Sequence, residues 1–369
     1  MAKKIMVISP KNKTVFNFRG DLIKELINKG YEVVVTGPNE DFVEDIKALG
    51  ADFVQVPCVK DNTSILNDLK YCLNLYKVIK KYKPNKIFSY TIKPVIYGSI
   101  AGGLAGVKEI YPMMTGLGRV YGIDSLNTRI IRLITGILYK IGFAFCKKVI
   151  FQNWDDLELF VKSRYLPRTK CEKIDGSGVN MNRFEFCELP DKPVFLMISR
   201  IIKEKGVFEF CEAAKTVKEK YPEAEFVLLG GYDESFGAIK PEQMETYTTA
   251  GIVKIPGEVK DVSPVLKDAF CFVLPTYYRE GIPRTILEAM ATGKPILTTD
   301  WVGTREAVED GENGFLVPIK DSKALGEKMI YMIENKEQTK LMGKASYKIC
   351  QEKFEVNIIN KKMLEFMEI

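Results

Sequence analysis

The stretch Cys271-Phe272-Val273-Leu274-Pro275-Thr276-Tyr277-Tyr278-Arg279-Glu280-Gly281-Ile282-Pro283-Arg284-Thr285-Ile286-Leu287-Glu288-Ala289-Met290-Ala291-Thr292-Gly293-Lys294-Pro295 decides the fold. Its apolar start reads as a buried strand, which runs into a loop and then into a helix at about Pro283. Proline suits a first helical turn because its missing N–H would have no partner there. A helix amino terminus at the carboxyl end of a strand presents free N–H groups and the positive end of the helix dipole, where a diphosphate can bind. Glu280 falls in the loop and Glu288 about one and a half turns into the helix. Carboxylates so spaced can address different parts of one ligand, such as a sugar and a ribose. A lone Glu-x7-Glu would read as surface acids, but Gly281, the helix start and Gly293-Lys294-Pro295-Ile296 give this pair a context.

Outward from that stretch, apolar runs alternate with helical patterns. Ile5–Ile8, a helix read from Gly20 to Gly30, and Tyr31–Val35 form a crossover unit, which implies a parallel sheet. Asp52–Val56, a helix at about 64–82 ended by Pro84, Lys86–Tyr90 and a helix at about 94–105 continue it. Leu189-Pro190-Asp191-Lys192-Pro193 reads as a linker, after which Val194–Ser199, a helix at about 206–220, Glu225–Gly230, Ile252–Ile255, a helix at about 261–268 and Ala269–Leu274 restart the pattern. Two such sets imply an α/β protein of two facing Rossmann-like, doubly wound domains, with a ligand cleft between them. The expected boundaries are 1–188 and 189–352, with a terminal helix at about 353–369 packing back on the first domain.

At 369 residues, 46% hydrophobic and 28% charged, the chain suits two ordinary cores and shows no disordered composition. The apolar run at the amino terminus is too short for a signal peptide. Eight scattered cysteines form no CxxC pair and there is no histidine, so a His-containing zinc site is excluded and a Cys-only site lacks its spacing. Reduced thiols in a cytoplasmic protein are expected. Residues 1–189 hold 29 Lys and Arg against 19 Asp and Glu, while the remainder is net −4. The basic half is expected to face an anionic partner. Within it, residues 127–151 are apolar yet interrupted by Arg129, Arg132 and Lys140, which argues against a spanning helix. Two readings stay open: a core helix, or a basic, aromatic face on a membrane. The helix before Pro84 adds Lys70, Lys77, Lys80, Lys81 and Lys83.

Ser199-Arg200-Ile201-Ile202-Lys203-Glu204-Lys205-Gly206 is another strand-to-helix passage. Arg200 offers planar, bidentate donors and Lys205 a compact charge, suited to neutralising a diphosphate. Leu228-Leu229-Gly230-Gly231-Tyr232-Asp233 ends a strand in glycines, where backbone can approach a ligand. Asp155-Asp156, after Asn153-Trp154, reads as a helix start rather than a metal dyad.

With these motifs in place, and Glu309-Asp310-Gly311-Glu312-Asn313-Gly314-Phe315-Leu316-Val317 behind them, the chain resembles the family 4 (group 1) retaining glycosyltransferases of GT-B fold. Phe16-Asn17-Phe18-Arg19, Thr91-Ile92-Lys93-Pro94 and Thr115-Gly116-Leu117-Gly118 resemble the branch that builds lipid-linked bacterial glycans, capsules and O-antigens. The resemblance implies a UDP-sugar donor, often an N-acetylhexosamine, and a polyprenyl-diphosphate-linked glycan acceptor. It implies a cytoplasmic protein held peripherally at the anionic inner face of the membrane, no nucleic-acid partner, no cofactor and no metal. By the same resemblance Arg200 and Lys205 hold the donor diphosphate and Glu280 contacts the sugar near its 3- and 4-hydroxyls. Glu288 bonds the ribose. The amides of Gly281, Ile282, Arg284 and Thr285 cradle phosphate, with Gly231 and Tyr232 beside the donor. Asn17, Arg19, Thr115, Gly116 and Gly118 are expected on the acceptor or cleft side. Many relatives carry a histidine near the reacting sugar, and the resemblance puts Asn17 where some of them have it; asparagine cannot act as a general base, which favours attack assisted by the departing phosphate. Rival readings are a UDP-sugar 2-epimerase of similar fold, disfavoured by the absence of histidine, and a non-catalytic binding homologue, disfavoured by the retained Arg200, Lys205, Glu280 and Glu288. A nicotinamide-dependent dehydrogenase is excluded because no G-x-G-x-x-G follows Ile5–Ile8.

Overall fold

A computed structural model describes residues 3–58, 64–122, 124–233 and 237–369. The chain forms two compact units, Met1–Ser177 with Val356–Ile369, and Gly178–Glu355. In the first, β1 (Lys3–Ile8), β2 (Tyr31–Gly37), β3 (Asp52–Gln55), β4 (Lys86–Tyr90), β5 (Glu109–Met114), β6 (Val149–Phe151) and β7 (Cys171–Lys173) make a parallel sheet of order β3-β2-β1-β4-β5-β6-β7. Helices α1 (Asn12–Asn28), α2 (Val43–Ala48), α3 (Ile65–Tyr82), α4 (Ile92–Leu104), α5 (Gly118–Gly122), α6 (Leu126–Ala144) and α7 (Trp154–Lys162) supply the crossovers. One core, with Met6, Ile8, Leu75, Val95 and Phe143, fills one face of the sheet, and a second, with Ile5, Val7, Leu22 and Phe88, fills the other. Strands covered on both faces need continuous apolar runs, which explains why Ile5–Ile8 shows no polar alternation.

In the second unit β8 (Val194–Ile198), β9 (Glu225–Leu229), β10 (Lys254–Gly257), β11 (Cys271–Leu274), β12 (Ile296–Thr299) and β13 (Gly314–Val317) make a parallel sheet of order β10-β9-β8-β11-β12-β13. Its helices are α8 (Val207–Lys220), α9 (Pro241–Thr249), α10 (Ser263–Lys267), α11 (Arg284–Ala291), α12 (Ser322–Glu334) and α13 (Lys336–Ile349). The chain returns to the first unit at Val356 as α14 (Val356–Phe366), whose Ile359, Met363 and Leu364 join the core beneath α1. Buried Lys86 pins that end by donating to the Met367 carbonyl at 2.8 Å and to Glu109 at 2.6 Å.

Three boundaries differ from expectation. The units divide after Ser177 rather than at 188, because Val179 and Phe184 are buried in the second core and the Val179 N–H donates to Phe354 O at 2.9 Å. The helix read from Gly20 begins at Asn12, so Phe16 to Arg19 lie on α1. The segment 127–151 holds both α6 and β6. Asn153 caps α7 by accepting the Asp156 N–H at 2.7 Å, so Asp155 and Asp156 do sit at a helix start. Among the described residues no helix is long and apolar enough to cross a membrane.

Candidate active site

In the second unit β8 and β11 are neighbours at the point where strand order reverses, the place where doubly wound sheets bind ligands beyond their carboxyl ends. The loop after β8 carries Arg200 and Lys205, and the loop after β11 carries Glu280. Backbone locks them together. Gly206 has φ +79°, and a side-chain carbon there would lie 2.1 Å from the Pro275 carbonyl oxygen, so glycine is what lets the loops meet. Across that contact the Glu204 carbonyl accepts from the Thr276 hydroxyl at 3.1 Å and from the Tyr277 N–H at 2.8 Å, while the Tyr278 N–H donates to Thr276 Oγ1 at 3.1 Å.

The charges follow from this backbone. Lys205 Nζ donates to Glu280 Oε1 in a pair whose side chains are 10% and 21% exposed. Arg200 Nη1 donates to Asp233 Oδ2 at 2.7 Å. Both cations approach the Tyr278 ring, each 5.7 Å from its centroid. A half-buried pair of this kind is costly to break from one side, since the partner keeps its charge without compensation.

Helix α11 starts one residue later than expected. Pro283 is its cap, with ψ +123°, and its carbonyl accepts from Ile286 N at 3.1 Å, so proline precedes the first turn instead of occupying it. The Thr285 amide, in that turn, has no carbonyl within the helix to reach. Ile282 is 6% exposed and belongs to the core, which leaves its backbone as the part able to meet a ligand. Arg284 Nε donates to Glu288 Oε1 at 3.3 Å, one turn on. Burial pushes the Glu288 carboxyl above its usual range, against the opposing pull of Arg284 and Arg183.

Gly231 and Tyr232 join the same rim. The Gly231 carbonyl accepts from Ile201 N at 3.0 Å, Tyr232 bridges Ile201, and the Tyr232 ring is exposed. A third loop, after β12, was not read from the sequence. Gly303, with φ +88°, presses so close that a side-chain carbon would lie 2.3 Å from Gly281 O and 2.5 Å from Glu280 O. Asp233, Tyr278 and Glu204 were likewise given no role, although all stand inside the quoted motifs. Gly206 heads α8 and Gly303 lies in the loop after β12, and a glycine between strand and helix is the signal that could have found the close approaches.

In the first unit Thr115, Gly116 and Gly118 leave the carboxyl end of β5, with φ +109° and +61° at the two glycines. Asn17 is half-buried on α1. Arg19 departs from its expected place on the cleft side: it is 3% exposed, 5.0 Å from the Tyr90 ring centroid and 3.1 Å from Met113 Sδ. On α1 it shares the helical face of Val15, Leu22 and Leu26, which directs it into the core.

Comparison with known proteins follows the same division. A model described as "Glycosyl transferases group 1" matches residues 181–349, and one described as "Glycosyl transferase 4-like" matches residues 4–153. The N,N'-diacetylbacillosaminyl-diphospho-undecaprenol alpha-1,3-N-acetylgalactosaminyltransferase of Campylobacter jejuni is 28% identical, with 99% of this chain and 98% of that protein covered. The UDP-Gal:alpha-D-GlcNAc-diphosphoundecaprenol alpha-1,3-galactosyltransferase of Escherichia coli is 27% identical over 82% of this chain and 79% of its own. Anabaena HepE, solved in complex with UDP-glucose, superposes with a TM-score of 0.80 at 19% identity over 99% of each chain, a likeness that establishes the fold.

Proposed function

The chain belongs to the group 1 glycosyltransferases, with the GT-B fold, and we propose that it is a retaining member acting on a UDP-sugar. On this reading it moves an N-acetylhexosamine, GalNAc or GlcNAc, to a polyprenyl-diphosphate-linked saccharide in bacterial surface-glycan assembly. The observation that carries it is the meeting of Arg200 and Lys205 with Tyr278 and Glu280, on the loop that leads into α11, at one switch point. The activities named for the Campylobacter and Escherichia relatives support the acceptor.

The ion pairs suggest how the donor enters. Asp233 and Glu280 hold the two cations in position, and the donor diphosphate then takes them over with the first-turn amides of α11. Glu280 is released to the sugar hydroxyls, and Glu288 bonds the ribose. The acceptor hydroxyl oxygen attacks the anomeric carbon as the bond from that carbon to the diphosphate oxygen breaks. The hydroxyl proton passes to the departing phosphate on the same face, which retains configuration. Arg200 and Lys205 stabilise the charge that gathers on UDP. A lipid-linked acceptor places the enzyme at an anionic membrane surface, with its basic amino half as the facing part.

A screen of UDP-sugars, with and without a polyprenyl-diphosphate-linked saccharide, tests this. Acceptor-dependent turnover of UDP-GalNAc or UDP-GlcNAc and an α-linked product by NMR are expected. A β-linked product, or a preference for another nucleotide, would overturn it.

A further inference from the structure

Helix α6, in the segment 127–151, is apolar on both faces. Gly136, Tyr139, Gly142 and Phe143 are buried against the unit, and Tyr139 stacks on Phe143 with centroids 5.4 Å apart. On the opposite side Leu126, Ile130, Leu133, Ile134, Ile137, Ile141 and Phe145 stand in solvent, Leu133 67% and Ile137 54% exposed. Their spacing keeps them on one stripe along the whole helix, roughly 28 Å long. α3 exposes Leu66, Leu69 and Leu73 likewise, and both helices pack on α4.

The stripe ends beside a cavity of about 400 Å³ lined by Lys140, Phe143, Ala144, Val161, Arg164, Tyr165, Leu166, Pro167 and Lys170. Three of these are cations and none is an acid. Lys170 is fixed at the end of α6, donating to the Phe143 and Ala144 carbonyls at 3.2 and 3.3 Å, where a cation suits the helix dipole. Lys140 and Arg164 have no carboxylate partner among the described residues. The cavity lies at the carboxyl end of α6, whereas parallel crossover helices begin at the sheet edge where ligands bind. It is therefore separate from the Thr115–Gly118 loop.

We propose that α6 lies in the plane of a bilayer, its outer stripe among the acyl chains, with a phosphate of an anionic lipid headgroup in the Lys140–Arg164–Lys170 cavity. An apolar stripe flanked by cations matches an anionic interface, while a second copy docking cavity to cavity would bring like charges together. The lipid-linked acceptor proposed above is what suggests a membrane as the surface; the stripe and cavity are independent of it.

Flotation with vesicles of phosphatidylcholine, with or without phosphatidylglycerol, tests this. The wild type should float with the mixed vesicles and in part stay bound in high salt, since salt screens only the charges. L133E/I137E, both on the solvent face, should abolish flotation with an unchanged thermal melt. K140E/R164E should float on either vesicle type but lose its preference for phosphatidylglycerol, by roughly fivefold for each cation removed. Flotation of L133E/I137E equal to wild type overturns the anchor. So does a dimer that this variant dissociates in ultracentrifugation while flotation stays the same. Loss of inorganic phosphate binding in K140E/R164E with an unaltered lipid preference would make the cavity a free-anion site and overturn the headgroup assignment. Transfer to a short, water-soluble acceptor should be equal in all variants, which keeps failure of the anchor apart from failure of the transferase reading.

Discussion

The two units share the order of their first six strands and therefore a switch point, yet the groups set closest to it differ. Between β1 and β4 the first unit places hydroxyls, while Lys93 at the start of α4 is tied to Asp68 at 2.7 Å. Tyr90 donates to Ser9 Oγ at 2.7 Å, and Thr14 Oγ1 lies 3.0 Å from the Tyr90 oxygen. Burial pushes the Tyr90 hydroxyl above its ordinary range, and the cation beneath it, Arg19, is sealed in the core. Between β8 and β11 the second unit places Lys205 with Glu280 and Arg200 with Asp233 at a partly open rim. The fold supplies the crevice, and the side chains decide whether it handles a charged ligand.

Breaking the ionic side should have the largest effect. Lys205→Ala and Glu280→Ala are each expected to lower transfer by about a hundredfold or more with folding intact, because on the proposed reading each removes a contact to charge or to the reacting sugar. Steady-state assays beside circular dichroism check this, and near wild-type turnover in either variant removes the pair from the site. Glu288→Gln is expected to raise KM for the UDP-sugar about tenfold with kcat little altered, as loss of one charged hydrogen bond common to ground and transition states would do. A fall in kcat alone would give Glu288 a role beyond the ribose.

A third test separates charge at the rim from charge in the core. Lys294, inside the motif that carries Glu288, is fully buried and donates to the Lys267 carbonyl at 3.0 Å, closing the end of α10. Burial lowers its pKa to about 8. The unfolded chain then binds more protons than the fold from about pH 8 up to the ordinary lysine range, so this residue makes stability rise with pH across that window. Relative to Lys294→Met, wild-type unfolding free energy should climb by at most about 1.4 kcal/mol per pH unit there. Parallel slopes in chemical denaturation would show that Lys294 is not depressed.

Alternation of strands and helices was legible because buried parallel strands and amphipathic helices leave different periods, and the strand-to-helix loops carrying Arg200, Lys205 and Glu280 were legible because they are local. What was hidden depends on the third dimension. Asp233 sits 33 residues beyond Arg200, and only the sheet brings them together. Gly303 reads as an ordinary turn until its contact with Glu280 and Gly281 is seen. Arg19 looked like a site cation because Phe16-Asn17-Phe18-Arg19 was read apart from the helix that begins at Asn12, and that helix fixes its direction. The α6 segment posed a choice between a core helix and a membrane face, whereas a helix has two faces, and here one is buried while the other is apolar and exposed.

The smallest effect sharpens the comparison most. Tyr90→Phe keeps the ring over Arg19 and removes only the hydroxyl joining Ser9 and Thr14. If the first switch point is structural, the loss should be about 1 kcal/mol of stability, the net worth of an ordinary hydrogen bond. Transfer should then stay within about twofold of wild type, since a structural bond of that size changes the folded fraction very little. Denaturant titration and turnover on the same preparation decide it. A tenfold fall in transfer without a fall in stability would mean that the hydroxyl cluster handles substrate, and the division between the two switch points would no longer be one between scaffold and site.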